Sequence, residues 1–175
     1  GDLVQSATGV VQFDVDMAGA IADRLDIEGN STLNGRLEVN LATPAVARIR
    51  EFTLLSSQGP ASGAGVAFNT PGLPPALQAE LLGAGTASLR LRLRPDFSLN
   101  GTALSANRSA VAEHLNAVVS AGPDQGMQHL LDRLVVLPTA ASVQAALQRL
   151  QPEPLLTLAP ATWRSGMRFN NVLHS

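Results

Sequence analysis

Asp23-Arg24-Leu25-Asp26-Ile27-Glu28-Gly29-Asn30-Ser31-Thr32-Leu33-Asn34-Gly35-Arg36-Leu37-Glu38-Val39-Asn40-Leu41 places an apolar side chain at nearly every second position. Ser88-Leu89-Arg90-Leu91-Arg92-Leu93-Arg94 repeats the pattern further on. Side chains alternate across a strand with a period of two and recur along a helix near every 3.6 residues. The alternation holds to about Leu99, and from about Ser105 the apolar residues recur at helical spacing. A β region joined to an α region is therefore predicted.

At 175 residues the chain has room for one domain with a substantial core, or a β domain with a helical appendage. Hydrophobic residues make up 45%, but aromatic residues only 3%, so Ala, Val and Leu must build the interior. Such a supply suits short, regular layers. The net charge of −2, with every cation an Arg, offers no basic footprint for nucleic acid. No cysteine is present, which removes disulfides, thiolate zinc sites and a cysteine nucleophile. No apolar run approaches the ~18–20 residues of a membrane helix. The chain starts inside a strand-like pattern, and it is expected to be a piece of something longer.

Strands are read near residues 9–16, 23–28, 31–41, 48–56, 64–69 and 86–94, with a further one near 97–103. Residues 76–82 are read as a single helical turn. The segments around Pro60 and from Thr70 to Pro75 are loops, because proline cannot donate to a sheet ladder. No helical pattern separates the strands, which argues against a parallel α/β sheet. Two architectures remain level on these grounds. Asn30–Thr32 and Asn34-Gly35 suit hairpins of an antiparallel sandwich. Gly29 and Gly35 equally suit tight corners of a parallel β-helix.

Beyond the strands, Ser105 or Asn107 is read as the cap of a helix carrying Val111, Leu115 and Val118, stopped by Gly122-Pro123. Asp124 caps a second helix, with Met127, Leu130, Leu131 and Leu134 on one face, ended by Pro138. Thr139 starts a third, with Val143, Ala146, Leu147 and Leu150. The last segment, from Pro154 through Trp163 to Val172, is interrupted by Pro160 and Gly166.

In order, these landmarks resemble the C-terminal passenger region of a Gram-negative autotransporter (type V secretion), up to the point where its barrel begins. Asp14-Val15-Asp16, Ala22 to Gly29 and Thr32 to Val39 resemble the last rungs of such passengers, and Arg50-Glu51-Phe52-Thr53-Leu54-Leu55 and Gly65 to Phe68 resemble the strands that follow. Leu104 to Ala112 resembles the opening of the helical linker, and Ala145 to Glu153 the helix before the barrel. Pro152, Pro154, Pro160 and Gly166 depart from the smoother helix of that family.

The resemblance implies a mainly β chain: a right-handed parallel β-helix over residues 1–103, then an α-helical linker over 104–175. It also implies a non-catalytic autochaperone that nucleates folding of the passenger and aids its passage across the outer membrane. The implied address is extracellular or at the cell surface. The implied partners are the chain's own upstream passenger and its own barrel. Ile27, Leu33, Leu37, Val39, Ile49, Phe52 and Leu54 are the folding-nucleus candidates. Asn107, Val111, Leu115, Leu147, Leu150 and Trp163 are the linker landmarks. The competing function, from another class, is an adhesive module of a virulence-type surface adhesin.

Signatures of chemistry are few. Asp14, Asp16 and Asp23 lack calcium-loop spacing and read as strand carboxylates. His114, His129 and His174 share no metal spacing and read as polar helix-face residues. No Gly-x-Ser-x-Gly elbow and no phosphate loop is present. Asn30, Asn100 and Asn107 fit a glycan acceptor pattern but read as turn and cap residues. Arg90, Arg92 and Arg94 form a row on one strand face, either a solvated edge guard or a contact for lipopolysaccharide phosphates or a host surface. No catalytic residue, cofactor or metal is expected.

Overall fold

The computed structural model describes residues 1–63 and 65–151. The described strands are β1 (Leu3–Gln5), β2 (Val10–Asp16), β3 (Ile21–Ala22), β4 (Leu25–Ile27), β5 (Ser31–Leu33), β6 (Arg36–Leu41), β7 (Arg50–Ser57), β8 (Ala61–Ser62), β9 (Ala67–Asn69), β10 (Leu77–Leu82) and β11 (Ser88–Pro95). The helices are α1 (Ala106–Ala121), α2 (Gln125–Val135) and α3 (Ala140–Arg149). The strands form three sheets, ordered β1-β5-β8, β3-β2-β6-β9 and β10-β11-β7-β4.

A parallel β-helix is not what these residues build, and that expectation is corrected. Pairing is mixed. β10 and β11 run antiparallel to each other, β11 runs antiparallel to β7, and β3 runs antiparallel to β2. Residues 70–103 add no parallel strand. Pro71, Pro74 and Pro75 interrupt the chain after β9, and β10 and β11 then pair locally, which closes only a short loop. The antiparallel sandwich with helices is met only loosely, by the β10-β11-β7 part of one sheet. Asn34-Gly35 closes no hairpin: β5 and β6 lie in different sheets. Within 76–82, Leu77–Leu82 are strand rather than a helical turn, and 97–103 are turns and irregular chain rather than strand.

Parallel pairing is confined to the first 69 residues. There the chain crosses the three sheets in one order twice and starts a third crossing. β1 pairs with β5 and β5 with β8; β2 pairs with β6 and β6 with β9; β4 pairs with β7.

One apolar cluster runs through strands and helices alike, including Phe13, Leu37, Leu54, Leu91, Leu115, Leu131 and Leu147. The helices are tied to the loops that flank the strands by polar contacts as well. Asp132 Oδ1 accepts from the Ala47 N–H at 2.7 Å, and Asn116 Oδ1 accepts from the Phe97 N–H at 3.0 Å. The helix caps are local. Asp124 accepts from the Met127 N–H, and Thr139 and Ser142 form a reciprocal capping box. Ser105 occupies the first N-cap without a side-chain bond there.

Candidate functional site: the open edge of the first crossing

Two corners join the crossings. At the first, Gly1-Asp2, Gly29-Asn30 and Gly59-Pro60 lie one above another. Gly29 N donates to Gly1 O at 3.1 Å and Gly59 N to Gly29 O at 2.9 Å. The Asn30 N–H donates to Asp2 Oδ1 at 2.7 Å. A Cβ on Gly29 would strike Asp2 Oδ1, and one on Gly59 would strike Asn30 Oδ1. Glycine is required at both because the Asp or Asn side chain of the preceding corner fills the space.

The second corner is clamped by Gln5, which is only 6% exposed. Its Nε2 donates to Gly9 O and Arg36 O at 3.0 Å each, and its Oε1 accepts from the Gly35 N–H at 3.2 Å. A Cβ on Gly35 would strike Gly9 O.

Backbone parity then defines what the first crossing leaves unpaired. Arg36 N donates to Gly9 O and Ala42 N to Val15 O, each at 2.9 Å, so the odd-numbered residues of β2 face β6. Val10, Gln12 and Asp14 face the other way. Asp14 is covered there, since its N–H donates to Asp23 Oδ2 and its carbonyl accepts from Asp23 N, both at 2.9 Å. β3 covers Val15 and Asp16. Among the described residues no strand lies alongside Val10 and Gln12. β1 and β4 are the ends of their sheets, and the same parity turns Val4 and Asp26 outward.

The side chains tell the same story. Val11 and Leu25 are half-buried, whereas their register partners Leu37 and Leu55 are fully buried. Where β3 and Asp23 shield the edge, Phe13 and Val15 are buried. Val4 (75% exposed), Val10 and Ile21 are large apolar side chains left in water on this crossing.

Of the folding-nucleus candidates, Leu33, Leu37, Val39, Phe52 and Leu54 meet in the buried cluster. Ile27 flanks it, half-buried at the open edge. Ile49 is 50% exposed, because it lies ahead of β7 and outside its alternation. Leu115 and Leu147 are buried, Val111 is half-buried and Leu150 is exposed. Asn107 sits in the first turn of α1. Trp163, His174 and the segment from Pro154 lie outside the described residues.

Arg90 and Arg92 both reach Glu51, Arg92 also reaches Glu80, and Arg94 hydrogen-bonds Gln78 at 2.8 Å beside Asp96. The row is thus interleaved with carboxylates rather than being a bare cationic face. Asp16 Oδ1 accepts from the Gly19 N–H at 2.9 Å and the Thr43 hydroxyl at 2.7 Å. Those bonds, the Gly19 amide foremost, hold its carboxyl below the usual carboxylate range. His114 and His129 are exposed on helices. Among the described residues no group of three or more His, Asp or Glu could hold a metal ion, and no helix is long and apolar enough to cross a membrane.

Sequence reasoning noticed Gly29 and Gly35 but missed the corner repeat. The signal was a Gly followed by Asp, Asn or Pro at positions 1, 29 and 59. No protein-family model, curated protein or solved structure matches the chain.

Proposed function

We propose that this chain is the folding nucleus at the C-terminal end of an autotransporter passenger. In this reading it is a non-catalytic module that folds at the bacterial cell surface, outside the outer membrane. It presents the edges of β1, β2 and β4 to the rest of its own passenger, and its helices lead toward its own barrel. The observation that supports the reading is the difference between the two sides of the parallel region. On one side the strands and helices from Leu77 to Arg149 are packed into the core, whereas on the other no strand among the described residues covers the strand edges beside the half-buried Leu3, Val11, Leu25 and Ile27.

An unpaired edge with half-covered apolar side chains is a place where strand addition gains both ladder bonds and burial. Covering the remaining half of such a side chain contributes on the order of 1 kcal/mol each. A nucleus that is already folded spares the incoming chain the slow, non-local first pairing. Because no ATP is available outside the outer membrane, folding that resists reversal is a source of directional bias.

The test is deletion of residues 31–56 from the parent passenger. Secretion and the protease resistance of the passenger should both fall. Unchanged secretion and folding would overturn the reading.

A further inference from the structure

The corner at Gly1-Asp2 specifies what can be added to the edge, an inference that rests on the strand-accepting role proposed above. Each crossing treats the next in the same way. The Asp or Asn side chain of one corner lies over the glycine of the following corner, and Asp2 Oδ1 takes the N–H of the residue after that glycine, Asn30. At the third corner Pro60 supplies no N–H, so the pattern closes there. At the first corner nothing among the described residues covers the glycine. Gly1 has nothing within 4 Å of the place a Cβ would take, and the Asp2 N–H is the equivalent donor one crossing earlier.

Charge narrows the occupant further. Residues 1–28 carry Asp2, Asp14, Asp16, Asp23, Asp26 and Glu28 against the single Arg24, while residues 52–79 carry no charge. A second copy meeting this edge head-on would set carboxylate against carboxylate, and one meeting it with its third crossing would offer no counter-charge. Neither self-pairing is favoured. Like charges directly opposite on neighbouring strands are destabilising and opposite ones stabilising.

We infer that the first-crossing edge is a docking surface for an extended, basic segment with asparagine at its corner. The carboxamide oxygen of that asparagine settles over Gly1 and accepts the Asp2 N–H. The flanking strands pair with Val4, Val10 and Gln12, and Asp23 and β3 stop the pairing short of Asp14.

The chain contains a segment of this kind. Residues 29–58 have the Gly29-Asn30 corner and three Arg against two Glu. The experiment places a second copy of residues 29–58 ahead of Gly1 in the full chain, so that Gln58 of the insert precedes Gly1 as Glu28 precedes Gly29. Three inserts are compared: unchanged, Asn30→Asp and Asn30→Leu. Amide hydrogen exchange is read residue by residue, with β6 and α2 amides reporting that the remainder stays folded.

With the unchanged insert, exchange at Asp2, Val4, Val10 and Gln12 should slow about tenfold or more, the scale of one net hydrogen bond. The Asn30→Asp insert should keep part of the effect at Asp2, and the Asn30→Leu insert should return Asp2 to its rate in the parent chain. Equal slowing of Asp2 by the unchanged and Asn30→Leu inserts overturns the corner inference while leaving strand addition standing. No slowing at Val4, Val10 or Gln12 with any insert overturns both. A peptide covering residues 29–41, titrated against the labelled parent chain, gives an independent reading. Shifts centred on Asp2 and weakened by the Asn30→Leu substitution support the inference, and shifts indifferent to it overturn it.

Discussion

Gln5 carries more of the architecture than any other polar side chain of the first crossing. It is buried, it satisfies three backbone groups, and one of them, the Gly35 N–H, has the Gln5 side chain as its partner across the corner. Gln5→Leu preserves the volume but strands the buried Gly35 N–H, whereas Gly9 O keeps the Arg36 N–H. An unfolding titration should show a loss of about 1–3 kcal/mol, since a buried donor left unmade costs its full desolvation. Asp16 acts differently because it is only half-buried and ionised. Its carboxyl titrates below 3.8 in the folded chain, so its contribution is present above the unfolded value and fades as pH falls through the lower folded value. Asp16→Asn should therefore be less stable than the parent near neutral pH. The gap should close as the solution is acidified below pH 3.8, as read from denaturant midpoints across an acid series. A gap that is constant with pH would remove this role.

Among elements, the helices depend on signals within a few residues of their ends. Thr139→Ala removes the hydroxyl that accepts from the Ser142 N–H in the α3 capping box, and it should cost about 1 kcal/mol, measurable as a lowered melting temperature. The same locality explains why the helices were legible. Asp124, Thr139, Gly122-Pro123 and Pro138 mark their ends in the sequence, and the apolar spacing did the rest. Most strands were legible from alternation, β5 and β6 as one run; β1, β3 and β8, two or three residues each, are too short to show it, and β8 lies in a segment read as loop. β10 was not, because Leu77-Gln78-Ala79-Glu80-Leu81-Leu82 has good helix formers, and only its pairing with β11 makes it a strand. The partnering of strands was the part hidden from view. Ser31 meets Leu3 and Arg36 meets Val10, about one crossing apart, with little repeated beyond a glycine at the corner. The open edge was likewise illegible, because an edge is defined by which partner is missing.

At the scale of the molecule, strands and helices share one core, so they should unfold together. Asp132 is the sharpest probe. Its Oδ1 receives the N–H of fully buried Ala47 and the Gln128 side chain, both at 2.7 Å. Asp132→Ala should cost about 1–3 kcal/mol through the orphaned Ala47 N–H. It should lower the helical circular-dichroism transition and β6 exchange protection by the same amount. Separate shifts would mean that the two regions are energetically independent.

The ladder bonds that stack Gly59 on Gly29 and Gly29 on Gly1 also decide how the chain gives way under tension. A pull on the amino end opens one crossing at a time, like tape lifted from a roll, with the next layer meeting the load only when the previous one has gone. Each release from one corner glycine to the next frees roughly 95–100 Å of contour, at about 3.4 Å per residue. A motor or current tugging there would meet a series of small yields, whereas a pull across the α-helical end would load the shared interior all at once.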